Sequence, residues 1–171
     1  TRESLKKLEE NGITTILDDR TEYTPGWKFN EWELKGVPIR IEIGPRDVER
    51  KQVVAARRDT YEKVKIREED LAATIKRMLV EIQNSLFNRA KKLLEDNTST
   101  VKTYGEFKEA LRKRGGFIKA CWCSRAECEE RIKEETGATI RLIPFEKERL
   151  FSNCVHCGEE AKEVVFFARA Y

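Results

Sequence analysis

The chain has 171 residues, of which 39% are hydrophobic and 38% charged, and its 34 basic and 31 acidic side chains leave a net charge of +3. This near balance excludes a bulk polycation, so any binding of nucleic acid must depend on local basic patches. We expect no membrane span and no signal peptide, because no apolar run approaches the ~20 residues that a span needs. Five cysteines without a signal peptide then indicate a reducing compartment, the cytoplasm, where clustered thiols bind metal more often than they form disulfides.

The first half of the chain predicts helices and strands in alternation. Helices are expected over residues 2–11 and 27–35, and strands over 13–17, 38–43, 52–57 and 62–66. Gly44 and Pro45 predict a turn after the second of these strands. Strands that alternate with helices favour the α/β class.

A long helix is predicted next, over residues 68–96. Its apolar residues recur every three or four positions, as on a helix with a single buried face. They are Leu71, Ile75, Met78, Leu79, Ile82, Leu86, Ala90 and Leu93. At ~1.5 Å per residue such a helix is long enough to connect two domains.

The rest of the chain predicts a smaller domain with two capped helices. Thr103 with Glu106, and Ser124 with Glu127, have the spacing of capping boxes. Strands are expected over residues 117–122, 139–143 and 163–169, and the glycines that end the two helices are Gly115, Gly116 and Gly137. We therefore divide the chain into a first domain at residues 1–67, a connecting helix at 68–97 and a C-terminal domain at 98–171.

Two pairs of cysteines have the spacing of metal ligands. Four residues separate Cys123 from Cys128, and two separate Cys154 from Cys157. Thiolates hold tetrahedral zinc at ~2.3 Å, and two short-spaced pairs can close around one ion. Four protein ligands leave no open coordination position, which predicts a structural zinc site rather than a catalytic one.

Alternatives remain open at this site. Cys121 lies in the predicted strand 117–122 and fits a core position better than a ligand position. His156 is the only histidine, and it could replace Cys157 as a ligand. The thiols could also be merely buried and reduced, although that leaves the paired spacing unexplained.

Residues 27–47 concentrate aromatic and charged side chains. Residues 27–38, which contain the predicted helix and the turn after it, carry the letters WKFNEWELKGVP. Residues 39–47, which contain the strand and the Gly-Pro turn, carry IRIEIGPRD. Aromatic rings stack on flat ligands and charged side chains bond to polar edges, so this composition is typical of a surface that binds stacked, charged ligands. Taken alone, Phe29 fits core packing as well as base stacking.

This stretch resembles the anticodon-binding domain of class II prolyl-tRNA synthetases. The resemblance runs without a gap over about 30 residues, from Leu17-Asp18-Asp19-Arg20 and Tyr23-Thr24-Pro25-Gly26 to Arg46-Asp47. The cysteine pairs and the final Phe166-Phe167-Ala168-Arg169-Ala170-Tyr171 are similar to the C-terminal zinc-binding domain of archaeal and eukaryotic-type prolyl-tRNA synthetases. Essentially the whole chain is covered by the resemblance.

The resemblance implies a fold and a function. The fold is expected to combine a mixed-sheet α/β anticodon-binding domain that lacks its first strand, the long helix and a small α+β zinc-binding domain. The piece is expected to recognise the anticodon of tRNA(Pro), which ends in two guanines. A parent enzyme, expected to be a homodimer, would use ATP and Mg²⁺ in a separate catalytic domain to ligate proline to tRNA, so the piece alone should be inactive.

By the same resemblance, six residues match positions that contact the anticodon. They are Phe29, Glu33, Arg40, Arg46, Asp47 and Lys63. A carboxylate accepts hydrogen bonds from guanine N1–H and N2–H, and Arg or Lys donates to O6 and N7. Similar enzymes also place the α-carboxylate of the C-terminal tyrosine, Tyr171 here, near the catalytic site.

Two rival functions remain. A free-standing, zinc-stabilised module for RNA or protein binding would need no catalytic domain, and the sequence upstream of Thr1 would separate it from a synthetase piece. A metal hydrolase would need an open metal position and a general base, and four cysteine ligands argue against both.

Overall fold

The computed structural model describes residues 2–170, so the expectation for the Tyr171 carboxylate lies outside the described residues. Two compact units are present, one that extends as far as Arg89 and one that begins at Ala90. The long helix α4, Leu71–Asp96, contributes residues to both. Within residues 2–170, no helix combines the length and the apolar character that crossing a bilayer requires.

The first unit combines helices with a three-stranded sheet. The helices are α1 (Arg2–Glu10), α2 (Pro25–Leu34) and α3 (Pro45–Glu49), and the strands are β1 (Ile39–Glu42), β2 (Gln52–Arg57) and β3 (Lys63–Arg67). A 3-10 turn at Glu68–Asp70 leads into α4. The strands are antiparallel in the order β1-β2-β3, and their register places Arg40, Ala56 and Lys63 in one row across the sheet.

The core of this unit lies between the sheet and the first half of α4. Val53 and Ala55 of β2 and Leu71 of α4 have no exposed surface. Burying a leucine side chain of this kind contributes about 1.5–3 kcal/mol to stability. The predicted apolar stripe of α4 is buried as far as Ile82 except for the half-buried Leu79, whereas Leu93 is 66% exposed.

The second unit contains a four-stranded sheet. Its strands are β4 (Thr98–Thr100), β5 (Phe117–Trp122), β6 (Ala138–Leu142) and β7 (Glu163–Arg169), and its helices besides α4 are α5 (Tyr104–Lys113) and α6 (Ala126–Thr136). The order is β4-β5-β7-β6, with β4 parallel to β5 and the other pairs antiparallel. The α/β class with a mixed sheet is thus confirmed. The mixed sheet was expected in the first unit, but the sheet there is antiparallel throughout, and the mixed sheet lies in the second unit.

Aromatic packing fills the core of the second unit. Phe107 of α5 meets Phe167 of β7 edge to face, with ring centroids 5.2 Å apart, and neither side chain is exposed. The predicted capping box of α5 is confirmed, because the Glu106 N–H donates to Thr103 Oγ1 and the Glu106 carboxylate accepts from the Thr103 N–H, both at 3.2 Å. Gly137 ends α6 with φ of 75°, as expected for a helix C-terminus.

Two predictions for the first unit are wrong. Residues 13–17 form no strand, and Ile16 is 67% exposed. A strand needs a neighbour for its backbone N–H and C=O groups, and no strand of residues 2–170 pairs with this segment. Gly44 and Pro45 do not form a simple turn but begin α3, because proline at the first helical position has a φ already suited to a helix.

The second unit brings two further corrections. Ser124 does not cap α6, since its φ is 61° and the helix begins only at Ala126, after Arg125. Ser124 instead forms the tight turn that follows Cys123. The strand β4 was not predicted, because its three residues are polar and show no apolar alternation.

Candidate nucleic-acid interface and metal centre

Three of the predicted contact residues lie together between α2 and β1. Thr24 caps α2 by accepting from the Trp27 N–H at 3.4 Å, and Phe29 and Glu33 lie one turn apart on that helix. The Arg40 guanidinium carbon lies 3.9 Å from the centre of the Phe29 ring. Its Nη1 donates to Glu33 Oε1 at 2.6 Å. A ring, a cation and a carboxylate are therefore held side by side.

Lys63 joins this cluster through a residue that the sequence did not single out. Arg40 Nε donates to Glu42 Oε1 at 3.0 Å, and Lys63 Nζ donates to Glu42 Oε2 at 2.9 Å. Burial by itself raises the pKa of Glu42, but the hydrogen bonds from Lys63 and Arg40 outweigh it and lower that pKa. Glu42 therefore stays ionised and holds both cations on one face of the sheet. Glu42 lies two positions after Arg40 in a strand, and this same-face spacing is the signal that could have identified it.

Arg46 and Asp47 lie apart from this cluster, on α3. Asp47 accepts from the Gly44 N–H at 3.0 Å and from Gln52 Nε2 at 2.9 Å. The Gln52 and Gly44 donors lower the pKa of the Asp47 carboxyl. Arg46 is exposed, and no ion pair of residues 2–170 involves it. The structure thus gives Asp47 a capping role in the helix and leaves Arg46 open to solvent.

The loop before α2 is attached to it by a charged network. Arg20 donates to both oxygens of Asp18, at 2.8 and 2.7 Å, and to Glu31 at 2.5 Å. Trp32 Nε1 also donates to Asp18, at 2.8 Å. These donors, that of Arg20 first, hold the pKa of the Asp18 carboxyl far below its usual range. The network fixes the helix that carries Phe29 and Glu33.

The second unit gathers the four predicted cysteine ligands. The sulfur atoms of Cys123, Cys128, Cys154 and Cys157 all lie within 4.8 Å of one another. The Cys123 and Cys128 sulfurs are 3.5 Å apart, and those of Cys123 and Cys157 are 3.8 Å apart. Four sulfurs at ~2.3 Å from a tetrahedral ion are separated by about 3.8 Å, so the geometry fits a metal ion.

Local backbone geometry brings the two pairs together. Gly158, with φ of 73°, lets the chain after Cys157 turn back, and its N–H donates to the Cys154 carbonyl at 3.0 Å. Burial opposes ionisation of Cys154, but the backbone N–H groups of Cys157, His156 and Cys123 lower the pKa of its thiol to about 7. Burial raises the pKa of Cys123 and of Cys128.

His156 and Cys121 lie outside this four-sulfur group. The imidazole of His156 packs edge-on against Tyr104, with ring centroids 5.0 Å apart. Cys121 is fully buried in β5, where it packs with Ala161 and Val164.

Comparison with known proteins relates both units to one enzyme family. A family model described as "Anticodon binding domain" matches residues 1–78, and one described as "Prolyl-tRNA synthetase, C-terminal" matches residues 104–171. A proline–tRNA ligase of Clostridioides difficile (strain 630) is 53% identical over 164 residues, which are 96% of this chain and 34% of that protein. The chain belongs to the prolyl-tRNA synthetase family and corresponds to a C-terminal region of that enzyme.

Other bacterial prolyl-tRNA synthetases show the same extent of similarity. The proline–tRNA ligase of Alkaliphilus oremlandii (strain OhILAs) is 52% identical over 155 residues, which are 91% of this chain and 32% of that protein. Proline–tRNA ligase 2 of Bacillus thuringiensis subsp. konkukian (strain 97-27) is 50% identical over 159 residues, 93% of this chain and 33% of that protein. The chain spans about a third of the length of these prolyl-tRNA synthetases.

Proposed function

We propose that this synthetase region binds tRNA(Pro) and recognises the two guanines that end its anticodon. The observation that carries the proposal is the contact of Arg40 with both Phe29 and Glu33, at 3.9 Å and 2.6 Å. An aromatic ring, a guanidinium and a carboxylate are the groups that stack on and bond to a splayed guanine. The family model for anticodon binding, which matches residues 1–78, supports the same role.

Each residue of the cluster has a distinct part in this proposal. Glu33 accepts from guanine N1–H and N2–H, and Arg40 donates to guanine O6 or N7. Phe29 stacks on a base. Lys63 and Arg46 supply further positive charge to the anticodon, and Asp47 completes the set from α3. Because Asp47 already accepts two hydrogen bonds, its part in binding includes holding α3 in place.

We propose further that the four-cysteine cluster holds a structural zinc ion. The separations of its sulfurs fit tetrahedral coordination, and four thiolates are the donor set that zinc prefers. Bound zinc would supply a covalent-like crosslink between the start of α6 and the Cys154–Cys157 turn. A domain of this kind is the feature of the archaeal and eukaryotic type of prolyl-tRNA synthetase, and we assign the chain to that sequence type even though the relatives above are bacterial.

The ligation of proline to tRNA is assigned to a longer parent synthetase, of which this chain is one region. The relatives are named as proline–tRNA ligases, and the chain spans about a third of their length. We therefore place ATP, Mg²⁺ and proline in a separate catalytic domain of a cytoplasmic, homodimeric parent. This chain contributes tRNA selection to that reaction and does not catalyse it alone.

Direct binding tests the proposal. The chain is titrated into a fluorescently labelled RNA hairpin that carries the proline anticodon, and into two hairpins in which one or the other guanine is replaced. We expect tighter binding to the proline hairpin than to either variant. Equal affinity for all three hairpins would contradict anticodon recognition by this region.

A further inference from the structure

A cleft adjoins the cluster of Phe29, Glu33 and Arg40, and the proposed recognition of the anticodon does not use it. It has a volume of about 490 Å³ and lies between the end of α2, the hairpin of β2 and β3, and α4. Its lining includes Glu33, Leu34, Arg58, Asp59, Tyr61 and Arg89. Glu33 lines this cleft and also accepts a hydrogen bond from Arg40, so the cleft and the cluster are neighbours.

Tyr61 is the unusual residue of this cleft. Its side chain is 72% exposed, and its φ is 61°, in the left-handed region that bulky side chains rarely adopt. This φ closes the hairpin loop between β2 and β3, where the Tyr61 N–H donates to the Arg57 carbonyl at 3.0 Å. A solvent-exposed ring at such a position contributes little to a core. No aromatic ring of residues 2–170 stacks on it. The ring is therefore available to a ligand.

Two arginines give the cleft its charge. No ion pair of the described residues involves Arg58 or Arg89. The neighbouring carboxylate of Asp59 does not neutralise them, because it accepts two hydrogen bonds from Arg57, at 3.0 and 2.9 Å, and is only 1% exposed. The Nε of Arg58 is buried and lacks a hydrogen-bond partner within the described chain. The cleft thus combines unpaired guanidinium groups with a free aromatic ring.

We propose that this cleft binds the loop nucleotide next to the anticodon, with its base stacked on Tyr61 and its phosphate bound by Arg58 and Arg89. The inference rests on the proposed function, since it needs the anticodon to lie at Phe29, Glu33 and Arg40. Every base has a face that stacks on an aromatic ring. The cleft therefore adds affinity for the RNA loop without adding sequence selectivity.

Variants of Tyr61 test the stacking. In the hairpin assay, Tyr61→Ala should weaken binding about 5- to 150-fold, the range that one stacked base contributes, and Tyr61→Phe should bind like the wild type. The loss should be equal for the proline hairpin and for the guanine-replaced hairpins. An abasic substitution at the stacked loop position should weaken binding to the wild type and leave binding to Tyr61→Ala unchanged.

Salt dependence tests the phosphate contact. Arg89→Ala should lower the slope of log affinity against log salt by about 0.7, the change expected for one lost contact to single-stranded RNA. Arg77→Ala removes the same charge from another exposed position of α4 and should leave the slope unchanged.

Tyr61→Gly should raise the melting temperature, because glycine adopts a positive φ without strain, while it weakens RNA binding.

The outcomes separate this inference from the proposed function. A wild-type chain that distinguishes the hairpins, together with Tyr61→Ala and Arg89→Ala variants that bind as tightly as it does, would overturn the cleft and leave anticodon recognition intact. A wild-type chain that does not distinguish the hairpins would overturn both. Loss of selectivity in Tyr61→Ala would show that the cleft reads sequence and would contradict its assignment to a base-tolerant contact.

Discussion

Arg40 packs against the ring of Phe29, with its guanidinium carbon 3.9 Å from the ring centre. The same guanidinium donates to Glu33 and to Glu42, so its plane is fixed from two sides. A side chain held in this way loses little further conformational freedom when a base binds. The surface around Phe29 is therefore organised before RNA arrives.

Selectivity for guanine should depend on Glu33 and Arg40. Glu33→Ala and Arg40→Ala should each reduce the preference for the proline hairpin over a guanine-replaced hairpin by about 1–3 kcal/mol, because each removes a contact to a base edge. The measurement is the ratio of the two dissociation constants. Arg40→Lys keeps the charge but loses the forked donor geometry, and it should also lose selectivity.

A control and a contrary result complete this test. Glu10→Ala removes an exposed carboxylate of α1 and should leave the ratio unchanged. If Glu33→Ala and Arg40→Ala both keep the wild-type ratio, these residues serve only the fold of the first unit.

Zinc content should depend on Cys154 and not on Cys121. Cys154→Ser removes one of the four clustered sulfurs, so the purified chain should lose its single zinc ion and the second unit should unfold at a lower denaturant concentration. Cys121→Ser is the matched control, since it changes a buried cysteine of β5 outside the cluster and should retain the metal. Metal analysis of both variants by mass spectrometry decides the point. A full complement of zinc in Cys154→Ser would refute the ligand set.

Acid should weaken the first unit through Asp18. The Arg20 donor and the other groups around Asp18 lower the pKa of this carboxyl in the folded state. A depressed pKa contributes stability that is complete above the unfolded-state pKa of about 4 and is lost as the pH falls toward the folded-state pKa. Asp18→Asn should therefore lower the free energy of unfolding at neutral pH and make its decline below about pH 4 shallower.

Urea unfolding followed by tryptophan fluorescence at several pH values measures this effect. Asp19→Asn makes the same change at the neighbouring position and serves as the control, since no ion pair of residues 2–170 involves Asp19. An equally steep acid dependence in Asp18→Asn and in the wild type would show that the network of Asp18 and Arg20 contributes nothing to acid stability.

Gly116 and Gly115 should differ in their tolerance of a side chain. Both have positive φ values, 71° and 64°, but a Cβ on Gly116 would lie 2.3 Å from the Asn97 carbonyl oxygen, whereas one on Gly115 meets open space. Gly115→Ala should cost about 1–2 kcal/mol for its left-handed backbone. Gly116→Ala should cost about 1–3 kcal/mol more, because the Asn97 carbonyl must move. Chemical denaturation of both variants compares the costs, and equal costs would contradict the close contact.

Short-range patterns in the sequence predicted much of this protein. The capping box of Thr103, the glycine that ends α6 and the strands β5 and β7 depend on neighbouring residues, so they could be identified locally. The cysteine spacing likewise predicted a cluster that the structure shows. Residues 13–17 had an equally strand-like pattern, but a strand also requires a partner, and a local pattern does not contain one.

The arrangement of the candidate contact residues depends on long-range packing. The register of the antiparallel sheet places Arg40 and Lys63 in one row and lets Glu42 bond both, although Lys63 is 21 positions away from Glu42. The start of a helix at Pro45 gives Asp47 a capping role that its sequence neighbours did not show. Tyr61 and Arg89 meet in one cleft only because the hairpin and α4 belong to the same packed unit. The chain's residues supply the chemical groups, and packing between distant segments brings some of them together. Such contacts depend on strand register and burial rather than on spacing along the chain.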